Sequence, residues 1–346
     1  MRQEPWRRRA LLFASLLLGL AGPARAADPA LVAAAQKEGQ VVWYTTQIVS
    51  QLVRPMIAGF EKRYPGIKID AVRANATDTA IKLLNEGKAG RTQADIFDGT
   101  TTVVPLKQAG LVMRYVPDSA KALPEAYVDK DGYWAATNIY ILTPGYNTSL
   151  VAKGSEPRTL QALLDPKWRG HMAWGSTESN SAGPGFIGTI LAEQGEEKGM
   201  GYLKQLAGQK LVNINLSARE ILDQVIAGEY PLALQIFNHH AVISAKKGAP
   251  VEWIKLEPAT GMLSVVSVSK DAPHPNAAKL LVDFLISKEG QAIYRDTDYL
   301  PADPAVPPTE PSLIPEIGKF HARFFTPEET SAGMPRWMKI FQELFR

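Results

Sequence analysis

Two adjacent histidines, an arginine at the start of a helix and a hydroxyl-dense octapeptide are the residues of this chain best suited to chemistry. Asn238-His239-His240 follows the apolar run 232–237. In a strand the two imidazoles would point to opposite faces. In a turn both could serve one site, as hydrogen-bond donors to an anion or as metal ligands. The opposing reading is one packed and one exposed histidine, and two neighbouring histidines without a third ligand make a poor metal site. Ser176-Thr177-Glu178-Ser179-Asn180-Ser181-Ala182-Gly183 precedes a helical stretch. Hydroxyls and free N–H groups at a helix start suit an anion, though the same residues serve equally as an ordinary cap in a solvated loop. Arg219 stands two residues after the capping residue Ser217, where a cation opposes the helix dipole. It either clamps a carboxylate or phosphate, or sits in solvent. Thr45-Thr46-Gln47 and Asp98-Gly99-Thr100-Thr101 end two further strand patterns.

Catalytic signatures are scarce. There is no G-x-S-x-G elbow, no H-E-x-x-H and no Walker loop, and no carboxylate pair stands out for acid–base work. With no cysteine, disulfides, thiolate metal sites and cysteine nucleophiles are excluded.

The elements that must position these residues follow from hydrophobic period and punctuation. A short helix over 30–38 ends at Gly39, and Val41-Val42-Trp43-Tyr44 is a buried strand. Trp43, Trp134, Trp174 and Trp253 read as core rather than as ligand platforms. A helix over 49–64 stops at Pro65-Gly66, followed by a strand over 67–72, a helix over 78–86 and a strand over 94–97. This β-α-β-α-β opening argues for a mostly parallel sheet with helices on both faces. The rhythm continues with a strand-rich 133–146, a short helix over 159–164, a strand over 171–174, and helices over 185–194 and 197–206. Next come a helix over 217–227 ended by Gly228, strands over 232–237 and 262–268, and one long helix over 276–294 capped by Asn276. A proline-rich extended segment, 301–315, precedes the start signal Thr326-Pro327-Glu328-Glu329 and a closing helix over 336–345. Open α/β sheets bind ligands beyond the carboxyl ends of their strands, so the exits at 45–47, 98–101, 176–183 and 238–240 are the places where a ligand should lie.

Composition sets the frame. The 346 residues are enough for two domains, and 45% hydrophobic with 21% charged residues is globular. Arg7–Arg9, an apolar run over 10–21 and Ala24-Arg25-Ala26 read as a cleaved secretory signal occupying 1–26. The five arginines and one glutamate of that leader account for the net +3. Without them 33 basic and 34 acidic residues remain, so charge gives no case for a nucleic-acid partner.

Longer stretches carry a family likeness. Pro157-Arg158-Thr159-Leu160-Gln161-Ala162-Leu163-Leu164-Asp165-Pro166-Lys167-Trp168-Arg169-Gly170 resembles the P-x-T-x-x-D-L-L-D-P-K-W-K-G stretch of the extracellular solute-binding proteins of ABC importers, in their ferric-ion-binding branch. His274-Pro275-Asn276-Ala277-Ala278-Lys279-Leu280, running on to Phe284-Leu285-Ile286-Ser287-Lys288-Glu289-Gly290-Gln291, is similar to that family's late helix. Phe60-Glu61-Lys62-Arg63-Tyr64-Pro65-Gly66-Ile67 is similar to its first helix-to-strand corner, and Tyr146-Asn147-Thr148 follows its first interlobe crossing.

The resemblance implies an α/β, type II periplasmic binding protein fold. Each of two lobes holds a mixed, mostly parallel sheet with helices on both faces, and the ligand cleft lies between them. It implies one lobe from 27–138 with 262–305, the other from 139–261, and a C-terminal segment and helix over 306–346. Strands near 139–146 and 262–268 would be the crossings. Ferric-binding members place histidine after the first strand, glutamate after the third, and tandem tyrosines after the strand ending here at Phe237. This chain has Gln47-Ile48, Thr100 and Asn238-His239-His240 there, a poor set for hard ferric iron. The loop over 179–183, which holds the accompanying anion in iron-binding relatives, persists. The expected function is therefore a periplasmic receptor with no catalytic activity, no cofactor and no metal ligand. As a monomer it would capture a small anionic organic solute, carboxylate or phosphorus-containing, and deliver it to an inner-membrane ABC permease. The expected contacts are Thr46, Gln47, Thr100 and Thr101 from one lobe, and Ser179, Asn180, Ser181, Ala182, Arg219, Asn238, His239 and His240 from the other. Ferric or metal-chelate binding, and a secreted enzyme or signalling receptor on the same scaffold, are the alternatives.

Overall fold

The computed structural model describes residues 27–175 and 182–346. The expected leader lies outside them. The chain opens with α1 (Pro29–Glu38), β1 (Gln40–Thr45), α2 (Arg54–Arg63), β2 (Lys68–Arg73), α3 (Ala76–Lys88), β3 (Ile96–Gly99) and α4 (Val103–Gln108). The long strand β4 (Ala135–Asn147) leads to β5 (Met172–Gly175), α5 (Ala182–Gln194), α6 (Glu196–Ala207), β6 (Val212–Ile214), α7 (Ala218–Ala227), β7 (Leu232–Phe237), α8 (Asn238–Lys246) and β8 (Val251–Trp253). A second long strand, β9 (Ala259–Val268), precedes α9 (Pro275–Ile286), α10 (Lys288–Asp296), β10 (Leu300–Pro301), α11 (Pro315–Gly318), β11 (Ala322–Phe325) and α12 (Pro327–Phe345).

Strand direction determines where a ligand can sit. The sheet order is β2-β1-β3-β9-β4-β7-β5-β6. Strands β1, β2 and β3 are mutually parallel, and β9 is antiparallel to both β3 and β4. The first three strands therefore run in the same sense as β4. In the other half β5, β6 and β7 are parallel to one another, and β7 is antiparallel to β4. The carboxyl ends of the two half-sheets thus face each other, with β4 and β9 passing between them. Both long strands are buried along nearly their whole length.

The apolar core divides along the same line. One cluster packs Trp43, Phe60, Phe97, Phe284 and Tyr294 around the β1–β3 half. A second joins Trp174, Phe186, Ile190, Trp337 and Phe341 where α5, α6 and α12 cover the β5–β7 half. A third, with Ile221, Leu222, Val225 and Ile236, lies under α7 and α8. Trp43, Trp134 and Trp174 are core as expected, and Trp253 packs partly buried against it.

Local signals formed as the residues dictate. Ser217 and Glu220 make a full capping box on α7, and Gly228 closes it in the left-handed region at φ 86°. Thr326 and Glu329 do the same for α12, which begins at Pro327 and carries Pro335 inside it, so the closing helix is longer than its apolar pattern suggests. Three other expectations are corrected. The stretch 49–64 opens with a wider π-helical turn over Val49–Val53 before α2. The helix over 276–294 is two helices, because Ser287 turns extended (ψ 160°) and its hydroxyl caps α10 at Gly290. Asn276 is not the cap of α9. That place is His274, and the free N–H groups of Asn276 and Ala277 go to the Glu38 carboxylate.

Gly183-Pro184-Gly185-Phe186-Ile187-Gly188 has the G-x-G-x-x-G spacing of dinucleotide-binding loops. All three glycines lie within α5, where they let it pack tightly. A side chain would run into the Gly175 carbonyl at Gly183, Met262 at Gly185 and the Trp337 ring at Gly188. Among the described residues no helix is long and apolar enough to cross a membrane.

Candidate functional site

At the exits of β1 and β3 a carboxylate organises the threonines. Asp98 is 2% exposed. Its Oδ2 accepts from Trp43 Nε1 at 2.8 Å and Thr45 Oγ1 at 2.5 Å. Its Oδ1 accepts from the Thr46 N–H at 2.8 Å and Thr46 Oγ1 at 2.6 Å. Burial raises its pKa above the ordinary carboxylate value, against the pull of these four donors. The four donors match the four lone-pair sites of an ionised carboxylate. Gly99 follows at φ 142°, where a side chain would run into Thr102 and the Thr46 methyl. Thr100 and Thr101 lie half-buried beyond it.

Gln47 is buried and its amide is committed. Nε2 donates to Asn138 Oδ1 at 3.2 Å and Ser264 Oγ at 3.0 Å on β4 and β9, and Oε1 accepts from the Tyr140 hydroxyl at 3.0 Å. Gln47 thus ties the β1 exit to the crossing strands. Tyr140 carries the connection onward, since its ring stacks on His239 at 5.8 Å and 15°.

The β7 exit turns directly into α8, so Asn238, His239 and His240 form a first helical turn rather than a loose one. Both imidazoles are buried, His239 at 0% and His240 at 6% exposure, with ring centroids 4.3 Å apart. Tyr299 packs on His239 at 5.0 Å, and Phe237 meets His240 edge-on at 5.3 Å. None of the four ring nitrogens has a hydrogen-bond partner. Burial pushes the His239 pKa down to about 3, opposed by Asp298 and reinforced by Arg219. Burial, His239 and Arg219 hold His240 well below its ordinary value. Both rings are therefore neutral in the ligand-free molecule. Tyr140 is pushed up to about 12 by burial, and Tyr299 is raised by the same cause.

The other expected contacts are placed as follows. Asn238 Nδ2 donates to the Leu313 carbonyl of the C-terminal segment at 2.9 Å, while its Oδ1 is unpartnered. Arg219 holds Asp223 one turn on, at 2.5 and 3.3 Å, and Ser244 of α8 at 2.9 Å. Its guanidinium is engaged, yet its charge is felt at both histidines. Ala182 opens α5, fully buried. Ser179, Asn180 and Ser181 lie outside the described residues. Asp98, Tyr140 and Tyr299 are site residues that the sequence reading missed, and so is Arg73. Arg73 stands exposed at the end of β2, with its charge acting on Tyr299 and on Glu220 of α7. Its place directly after the strand pattern over 67–72 was the available signal. Among the described residues no group of three histidine, aspartate or glutamate side chains gathers to hold a metal.

Comparison with known proteins places the chain among binding proteins. A family model for bacterial extracellular solute-binding proteins matches residues 55–315. A Haemophilus influenzae protein described as uncharacterized is 24% identical over 345 residues, covering 94% of this chain and 98% of its own. The Fe(3+)-binding periplasmic protein of Serratia marcescens is 24% identical over 307 residues, covering 83% and 82%. The solved structure of the periplasmic binding protein AfuA from Actinobacillus pleuropneumoniae, with fructose-6-phosphate bound, superposes with a TM-score of 0.75. It is 23% identical and covers 89% of this chain and 98% of that one.

Proposed function

The chain belongs to the bacterial extracellular solute-binding protein family, and we propose that this periplasmic receptor of an ABC importer captures a small anionic organic solute, carboxylate or phosphorus-bearing. In this reading 27–138 with 262–305 forms one lobe and 139–261 the other. Residues 1–26 are a leader removed on export, and the lobes hinge on β4 and β9. The solute then passes to an inner-membrane permease.

The observation that carries the proposal is the pair of touching imidazoles with four unpartnered nitrogens. A buried polar group without a partner costs about 1–3 kcal/mol, so a fold keeps such a cluster where a ligand completes it. Neutral imidazoles offer one N–H each to an oxyanion. The remaining countercharge would come from Arg73, Arg219 and a proton drawn onto the rings as the anion arrives. Iron import, the activity in the Serratia relative's name, is supported less well. Ferric iron needs anionic oxygen ligands, whereas Tyr140 and Tyr299 are held in their neutral form and the imidazoles are neutral nitrogen donors. Phosphate esters, the class bound in the AfuA structure, suit the same donors.

The test is calorimetric titration of the mature chain with fructose 6-phosphate, inorganic phosphate and ferric citrate, repeated on His239→Phe. Saturable binding of an anion that His239→Phe abolishes is expected. Stoichiometric ferric binding with tyrosinate colour would overturn the proposal.

A further inference from the structure

The donors and acceptors at the β1 exit impose a second requirement on the solute, one that rests on the solute reading above. A hydroxyl has one hydrogen to give. That of Thr46 goes to Asp98 Oδ1 at 2.6 Å, and the Thr46 backbone N–H goes to the same oxygen at 2.8 Å. Thr46 is half-buried at the mouth of the exit, so its Oγ1 keeps lone pairs but no proton for a ligand. The Thr45 hydroxyl is likewise committed to Asp98, and it accepts the Gln47 N–H at 3.1 Å. Beneath Thr46 the Asp98 carboxylate is closed by four donors, which fixes the Thr46 proton inward. At Thr46 this corner presents an acceptor and attracts a hydrogen-bond donor. The anion-compatible groups lie across the cleft on α8 and α7; Arg73, level with Thr45 on β2, acts toward α7, where its charge is felt at Glu220.

We propose that the solute is bipolar, with hydroxyl or amine donors on the end that meets Thr46 and its anionic group toward the second lobe. In this arrangement Asp98 is the positioning residue that sets the selectivity by fixing Thr46 as an acceptor. A site built to accept a donor discriminates strongly against an analogue that lacks one, because its lone pairs then go unpaired. Asp98→Asn reverses the arrangement. The amide presents its own N–H groups, and the Thr46 hydroxyl is released to donate outward.

The experiment measures the ratio of affinities for fructose 6-phosphate and inorganic phosphate in the mature chain. The wild type is expected to prefer the ester by about tenfold or more. Asp98→Asn should bring the ratio near one, and so should Thr46→Val, which keeps the carboxylate. Thr46→Ser should restore the preference, an effect that a purely structural role would not produce. An unchanged ratio in Thr46→Val, with wild-type circular dichroism, would overturn the inference. If neither probe binds, the anion reading fails on its own account, and the donor requirement is read from the solute retained through native purification, identified by mass spectrometry after denaturation. A solute bearing a hydroxyl or amine supports the inference; one bearing neither overturns it.

Discussion

Acidification is the perturbation to which the histidine pair should respond most. His239 is held at about 3 against an ordinary 6.5, with burial as the main cause. As pH drops below 6.5 the unfolded chain takes up a proton that the folded chain refuses until about pH 3. The contribution to stability is therefore complete above 6.5 and is lost progressively through that window. At ~1.4 kcal/mol per pH unit, the loss from His239 alone is about 2 kcal/mol at pH 5 and about 5 kcal/mol near pH 3. The site is fully buried, so solvent screening does not reduce the figure much. His239→Phe keeps a ring between Tyr140 and Tyr299, removes two unpartnered nitrogens and cannot titrate. It should raise ligand-free stability at pH 7 by about 1 kcal/mol or more, and it should flatten the fall between pH 7.5 and 5 relative to wild type. Urea unfolding at the two pH values, on ligand-free mature protein, measures the difference of differences and cancels the carboxylates common to both chains. Parallel losses in the two proteins would refute the reasoning, and so would a variant less stable than wild type at pH 7. Either result would mean that the imidazoles have partners in solution.

Anion binding should draw protons onto the neutral pair, so calorimetry in buffers of different ionisation enthalpy should report net proton uptake near pH 7, and affinity should fall as pH rises. Solution scattering should show a smaller radius of gyration with saturating solute than without, if β4 and β9 are the hinge. Gly99→Ala should destabilise by about 1–3 kcal/mol in thermal unfolding, because it adds a side chain at φ 142° against Thr102 and Thr46. Phe341→Ala should cost about 3–5 kcal/mol, since its fully buried ring lies 5.0 Å from that of Trp174.

Where structure depends on residues close in sequence, it was legible. The β7 run, the Ser217 cap with its Gly228 stop and the Thr326 start signal all rest on residues within about a dozen positions of one another, and each formed as read. The break at Ser287 was hidden because α9 and α10 both carry apolar residues inward, so the hydrophobic period runs on across a backbone that does not. The cap of α9 was misread for a different reason. The group that satisfies Asn276 is Glu38, 238 positions earlier. Asp98 belongs with Glu38. It stood inside an inspected strand exit, but its partners Trp43, Thr45 and Thr46 lie more than fifty residues away, and only the pairing of β1 with β3 brings them together. The same long-range closure makes Gln47 a tie between β1 and the crossing strands.

The two exits show opposite solutions to burying polar groups. At Asp98 every lone-pair site has its donor, and the cluster is rigid without a ligand. At α8 the adjacent rings of His239 and His240 carry four orphaned nitrogens, a concentration found nowhere else among the described residues, where unpartnered atoms such as Thr79 Oγ1 and Trp168 Nε1 occur singly. A pre-organised acceptor on one side and an unsatisfied, uncharged donor pair on the other give the cleft a direction. A solute with one donating and one accepting end would satisfy both exits at once. That complementarity is what a receptor requires, because the free energy of capture then depends on the identity of the molecule that meets both exits.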